Sequence, residues 1–149
     1  MNTKVIKKIH VGSSIFFNKF DDFVPGDYDW VYIMDKPIFG KNKQLMKKSG
    51  NDYLFVCIND NILKNDISGY VTDYYQACTF LSPEFIKYIK SLGINITIED
   101  LKQIRHFFNG VKDKHLYTQY ICDAYIENNG FFLTDEQLNE AYKIYKKFR

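Results

Sequence analysis

The segment DYDWVYIMD, residues 27–35, places the strongest constraint on the fold. It alternates at its start and then becomes almost wholly apolar, which is typical of a β-strand buried over most of its length. A second strand of this kind is predicted from Tyr53 to Ile58. Strands that are apolar on both faces need other elements packed on both sides. The sequence therefore predicts a sheet with helices packed against it.

The remaining first half contains shorter segments whose patterns predict small elements. VIKKIHV (5–11) fits a helix or a short strand, and SSIFFNKF (13–20) fits a short helix with a capping serine. KNKQLMKK (41–48) is predicted to be a short surface helix. The first half therefore combines the two strands with small helices.

From about residue 70 the periodicity becomes helical. Three of the predicted helices have clear start signals: Ser82 followed by Pro83, Thr97 with Asp100, and the capping box of Thr134 with Gln137. The predicted helices cover 70–81, 82–93, 97–110, 112–130 and 134–149. The fold class is thus α/β, in the α+β arrangement, within a single domain 1–149. About 1–68 form the α/β core and about 69–149 the helical completion.

Composition and length narrow the class of protein. The chain has 149 residues with 46% hydrophobic residues, enough to bury a core without disulfides. Twenty basic and 18 acidic residues give a net charge of +2, which argues against a surface wholly devoted to nucleic acid but allows a local basic cleft. The three cysteines, Cys57, Cys78 and Cys122, are widely spaced and are expected to be reduced. With no apolar stretch near eighteen residues, we expect a cytoplasmic protein without signal peptide or membrane span.

Two short motifs in the first half point to phosphate and metal chemistry. Asp27 and Asp29 lie at i and i+2 of a strand, so both project from one face with alpha carbons about 7 Å apart. Mg²⁺ is commonly held by one or two carboxylates plus water and phosphate oxygens. Gly12 permits close approach of a ligand, and Ser13 stands where a helix begins, so this turn suits an anion. Together the motifs predict a triphosphate–Mg²⁺ site.

The same residues resemble the signature of the nucleotidyltransferase superfamily related to DNA polymerase beta. VGS, thirteen residues and then DYDW match its pattern over residues 9 to about 58, and 114–149 is similar to the carboxyl-terminal helices of small bacterial and phage members. The resemblance implies a small mixed sheet with flanking helices and transfer of a nucleoside monophosphate from an NTP to an acceptor. Gly12 and Ser13 would hold the terminal phosphates, and Asp27 and Asp29 would hold Mg²⁺ or Mn²⁺.

Three further positions are candidates for this site. Lys114, at the start of a helix, would reach the nucleotide across the cleft. The family often has a third carboxylate on a neighbouring strand, but the interior of DYLFVCIND holds no acid. Asp52 at its start is the first candidate for this catalytic role, and Asp60 beyond its end is the second.

The acceptor and the activity remain open at this stage. A small molecule, a protein or an RNA would each require the same metal site. One alternative is a degenerate, non-catalytic nucleotide-binding or protein-interaction module with the same fold. Another is an antitoxin-like enzyme that modifies a partner protein. The last two helices also leave open an assembly of several copies of the chain.

Overall fold

The computed structural model describes residues 4–24, 28–36, 47–49, 52–65 and 67–148, with only the backbone described for 47–49, 52–59, 61, 62, 65, 67 and 68. The chain divides into two compact units, Met1–Asn95 and Ile96–Arg149. The first unit contains the strands β1 (Val5–Val11), β2 (Tyr28–Met34), β3 (Lys47–Ser49) and β4 (Asp52–Asn59). Its helices are α1 (Asp60–Asn65), α2 (Ile67–Tyr70), α3 (Tyr74–Cys78) and α4 (Pro83–Ser91), with 3₁₀ helices at Gly12–Phe16 and Thr79–Leu81.

The four strands form one mixed sheet in the order β1-β2-β4-β3. β1 runs antiparallel to β2, β2 runs parallel to β4, and β3 runs antiparallel to β4. In the β1–β2 register, Ile9 lies opposite Val31 and Val11 lies opposite Asp29. Ile9, Val11 and Val31 are almost completely buried, so this face of the sheet is the core face.

Helix α4 packs on β1, and a single serine links the two elements. The Ser82 hydroxyl accepts a hydrogen bond from the Phe85 amide at 3.2 Å, which caps the helix. The same hydroxyl donates to the His10 carbonyl at 2.8 Å. Phe85 is fully buried and its ring meets Phe80 edge-on at 5.3 Å. The cap therefore fixes both the start of α4 and its position on the sheet.

The second unit consists of α5 (Ile98–His106), α6 (Leu116–Glu127) and α7 (Asp135–Lys147), with a 3₁₀ helix at Asp113–His115 before α6. Its core combines aliphatic and aromatic side chains, including Leu101, Ile104, Phe108, Ile121, Tyr125 and Tyr142. On its surface, Arg105 of α5 forms an ion pair with Asp123 of α6 at 2.7 Å. Tyrosines at helical spacing in this unit thus contribute largely to its core.

The mixed α/β class predicted from the sequence is confirmed, and so are the three helix starts. Thr97 with Asp100 and Thr134 with Gln137 both form complete capping boxes. The sequence placed the change to helical structure near residue 69, whereas the first compact unit extends to Asn95 because α4 packs on the sheet. The prediction that residues 1–149 form a single domain stays a prediction.

Two local predictions differ from the structure. The prediction of a surface helix over 41–48 is wrong for its last two residues, because Lys47 and Lys48 belong to β3 and pair with β4. Residues 41–46 lie outside the described residues. Pairing with a neighbouring strand here outweighs the helix propensity of lysine. The helix predicted over 70–81 begins only after Asp73, whose side chain accepts from the Gln76 amide at 2.9 Å.

Candidate functional site

Gly12, directly after β1, approaches the carboxylate of Asp29 closely. Its φ of 69° lies in the left-handed region, where glycine is favoured. A Cβ placed on Gly12 would overlap the Asp29 carboxylate and lie 3.1 Å from its Cγ. The register explains the approach, since Val11, the residue before Gly12, lies opposite Asp29. The structure therefore brings together two residues that the sequence assigned separately to phosphate and to metal.

Asp29 lies where the core face of the sheet reaches the surface. It shares its face with Val31 and Ile33, which are fully buried, while Asp29 itself is partly exposed. A carboxylate at this boundary keeps access to water and avoids the full cost of burying a charge. Its position suits a ligand for a hard cation that binds from the solvent side.

The serines after Gly12 differ in their surroundings. Ser13 and Ser14 are both partly exposed as residues and belong to the 3₁₀ helix that packs against β2. The Ser14 Oγ is nevertheless buried and has no hydrogen-bond partner among the described residues. A buried hydroxyl without a hydrogen-bond partner lowers the folding stability by about 1–3 kcal/mol. Such a hydroxyl is therefore often a binding position for a ligand or a water molecule. The sequence pattern pointed to Ser13 and not to Ser14, although the repeated serine was the available signal.

Of the other predicted carboxylates at this end of the sheet, the structure describes only the backbone of Asp52. Asp27 lies outside the described residues. Asp52 opens β4 opposite Tyr28, so the parallel pairing brings its backbone to the same end of the sheet as Asp29. Asp29 itself lies opposite Tyr53. The backbone register therefore places Asp52 near Asp29 but one position out of step with it.

Asp60 is separated from this site by the length of β4. It begins α1, seven residues after Tyr53, which corresponds to about 20 Å along the strand direction. Its carboxylate accepts hydrogen bonds from the Tyr88 hydroxyl at 2.7 and 2.9 Å. Burial and this acidic partner raise the pKa of Tyr88. Asp60 therefore has a structural role at the opposite end of the sheet from Asp29.

The basic candidate Lys114 and the ring of His10 lie elsewhere. Lys114 is exposed, in the 3₁₀ helix that precedes α6 in the second unit, and its phosphate-binding role stays a prediction. His10 lies opposite Trp30 in the β1–β2 ladder, and its ring is 5.0 Å from the Trp30 ring. Because strand positions alternate between faces, His10 points away from the face that carries Asp29. Its ring is thus not a ligand for phosphate at Gly12.

The described side chains give no support for a nucleophilic role of Cys122 and contain no group of metal ligands. Burial raises the pKa of the Cys122 thiol to about 12, which makes it a poor nucleophile at neutral pH. Among the side chains that the structure describes, no three His, Cys, Asp or Glu residues are grouped to hold a metal ion. That set includes neither Asp27 nor the side chain of Asp52.

Comparison with known proteins gives no relative for the chain. No protein-family model matches it, and no match was found among the curated proteins or the solved structures. Within the described ranges, no helix has the length and apolar character needed to cross a membrane.

Proposed function

We propose that the chain is a Mg²⁺-dependent nucleotidyltransferase with a fold of the type found in relatives of DNA polymerase beta. The observation that carries this proposal is the contact of Gly12 with Asp29. The predicted phosphate-binding turn and a predicted metal ligand meet across paired strands, so closely that a Cβ on Gly12 would overlap the Asp29 carboxylate. The mixed sheet and the helical second unit agree with what the resemblance implies.

In this proposal some residues position the phosphates of the nucleotide, and others hold the metal ion that compensates their negative charge. The backbone at Gly12 and the hydroxyl of Ser13, joined by that of Ser14, bind the terminal phosphates of an NTP. Asp27 and Asp29 hold Mg²⁺ or Mn²⁺. The bound ion supplies charge neutralisation at the α-phosphate and at the pyrophosphate that leaves. Asp52, which the register sets opposite Tyr28 and one position out of step with Asp29, is the candidate to receive the proton of the acceptor hydroxyl during in-line attack on the α-phosphate.

A binding module without catalysis is the second candidate. The observation in its favour is the register that sets Asp29 opposite Tyr53 rather than opposite Asp52. The acid closest to Asp29 on β4 is then out of step with it, and the interior of β4 contains none. Such a module would bind an NTP and Mg²⁺ without transferring a nucleotide. In both versions a cytoplasmic location stays a prediction, and for the transferase the acceptor stays open.

The test is calorimetric titration of ATP, CTP, GTP and UTP with Mg²⁺ into wild type and Asp27→Asn/Asp29→Asn. We expect one or more NTPs to bind only with Mg²⁺. The double variant should lose at least about tenfold in affinity, equivalent to about 1.4 kcal/mol, because both metal ligands are neutralised. Asp21→Asn/Asp22→Asn is the matched control, since it removes the same charge from an exposed turn.

Binding alone does not distinguish the two candidates, so pyrophosphate release is measured next. A transferase releases pyrophosphate with Mg²⁺ and an acceptor-containing extract, and Asp52→Asn should abolish this release while NTP binding persists. Binding without release under any of these conditions supports the non-catalytic module. Absence of binding for all four NTPs, or equal binding by the Asp27→Asn/Asp29→Asn variant, contradicts both.

A further inference from the structure

The sheet has a second face that the proposed site does not use. On β1 and β2, the positions that alternate with the core residues carry a lysine, a histidine and three large aromatic side chains. Phe17, just after the first 3₁₀ helix, adds a further ring beside them. We call this set the aromatic face; it comprises Lys8, His10, Phe17, Tyr28, Trp30 and Tyr32.

The rings of the aromatic face form a connected layer around His10. The His10 ring lies 5.0 Å from that of Trp30, with an interplanar angle of 32°. Tyr28 and Phe17 each lie 5.6 Å from it. The ammonium group of Lys8 sits 4.0 Å above the centre of the Trp30 ring, within the range of a cation–π interaction. The rings and the lysine therefore form one contiguous layer.

This layer remains in contact with solvent. Phe17 is 41% exposed, Lys8 is exposed, and His10, Tyr28, Trp30 and Tyr32 are each partly exposed. Ile9, Val31 and Ile33, on the opposite face of the same two strands, are fully buried. The aromatic residues are therefore not needed to form the core. Large aromatic side chains left accessible in one patch are a feature of interaction surfaces.

The charge of the aromatic face favours an anionic partner. Lys8 provides a full positive charge above the rings. Within the described strands β1 and β2, the one carboxylate is Asp29, and it lies on the opposite face, while Asp52 of β4 pairs with Tyr28 at one end of the aromatic face. A partner with both planar groups and negative charge would match the rings and the lysine together.

We propose that the aromatic face binds single-stranded nucleic acid. Unpaired bases stack on exposed aromatic rings of a sheet, and lysines beside them contact the phosphates. Tyr28, Trp30 and Tyr32 follow one another at i, i+2 and i+4, about 7 Å apart, and so present successive stacking positions along β2. Because Asp29 lies on the other face, this inference does not depend on nucleotidyl transfer. A second copy of the chain is the competing occupant.

The chain contains one tryptophan, Trp30, so its fluorescence reports on the aromatic face directly. We would titrate the protein with twelve-nucleotide uridine and thymidine strands, and follow Trp30 emission together with the anisotropy of labelled strands. Stacking should quench Trp30 emission to saturation at the concentrations at which anisotropy rises. A duplex of equal length should bind at least about tenfold more weakly, because its bases are not free to stack. Comparing the two strands shows whether RNA or DNA is preferred.

Two neighbouring lysines provide a matched pair of variants. Lys8→Ala removes the charge on the aromatic face, whereas Lys7→Ala removes the same charge from the opposite face, where Lys7 lies 5.8 Å from the Tyr88 ring. Lys8→Ala should weaken binding and reduce the salt dependence by about one phosphate contact, and Lys7→Ala should match wild type. Tyr28→Ala should weaken binding by about fivefold or more through the lost base stack. Far-UV circular dichroism checks that each variant is folded.

Three results would overturn the proposal. One is the absence of quenching and of anisotropy change at low salt with both strands. Another is equal weakening by Lys7→Ala and Lys8→Ala, which would indicate non-specific attraction. The third is a change of Trp30 emission with protein concentration alone, accompanied by dimers in sedimentation, because the aromatic face would then be covered by a second copy.

Discussion

At the scale of single residues, Gly12 combines a backbone constraint with a spatial one. Gly12→Ala should destabilise the fold by about 2–5 kcal/mol. About 1–2 kcal/mol comes from placing a side chain at positive φ, and about 1–3 kcal/mol comes from the overlap with the Asp29 carboxylate. Urea unfolding of wild type and variant, followed by the fluorescence of Trp30, measures the difference.

Gly93 is the matched control for this substitution. It has a φ of 80° in the same compact unit, and a Cβ built there meets no described atom within 4 Å. Gly93→Ala should therefore cost only the backbone part, about 1–2 kcal/mol. Adding Asp29→Ala to Gly12→Ala should recover part of the loss, since the two sites are in contact. Equal costs for the two glycines would show that Asp29 does not crowd Gly12.

At the scale of elements, the sequence predicted best what is decided locally. The starts of α4, α5 and α7 were correctly predicted because a cap is a contact between residues three positions apart. Strand β3 was not predicted, because its three residues form a strand only through their hydrogen bonds with β4. For the same reason the sequence predicted that Gly12 and Asp29 belong to the site but did not predict their contact, because that contact depends on the register of β1 with β2.

The cap of α7 allows a quantitative test at this scale. The Thr134 hydroxyl accepts from the Gln137 amide at 3.1 Å, and Gln137 Oε1 accepts from the Thr134 amide at 3.0 Å. Thr134→Ala should cost about 1 kcal/mol of unfolding free energy, because one helix amide loses its acceptor. Denaturant unfolding monitored by far-UV circular dichroism provides the measurement.

Thr134→Ser separates the hydroxyl from the methyl group. Serine retains the capping oxygen, so this variant should remain within about 0.5 kcal/mol of wild type. Gln137→Ala should cost at least as much as Thr134→Ala, since Gln137 Oε1 also accepts from the Asn128 side chain at 2.7 Å. A serine variant as unstable as the alanine variant would instead assign the loss to packing of the threonine methyl.

At the scale of the whole molecule, we expect the two compact units to unfold together as one domain. The length of the chain is ordinary for one domain, and its sequence has no linker composition near Asn95. Trp30 reports on the first unit, whereas Thr134→Ala weakens the second. In a single cooperative transition, this variant lowers the urea midpoint seen by Trp30 fluorescence as much as the midpoint seen by circular dichroism. Gly12→Ala provides the reciprocal case, because it destabilises the first unit, whereas the circular dichroism signal comes from helices of both units. It should lower the midpoints seen by the two methods equally. A Trp30 midpoint unchanged in Thr134→Ala would show instead that Met1–Asn95 folds independently of α5–α7.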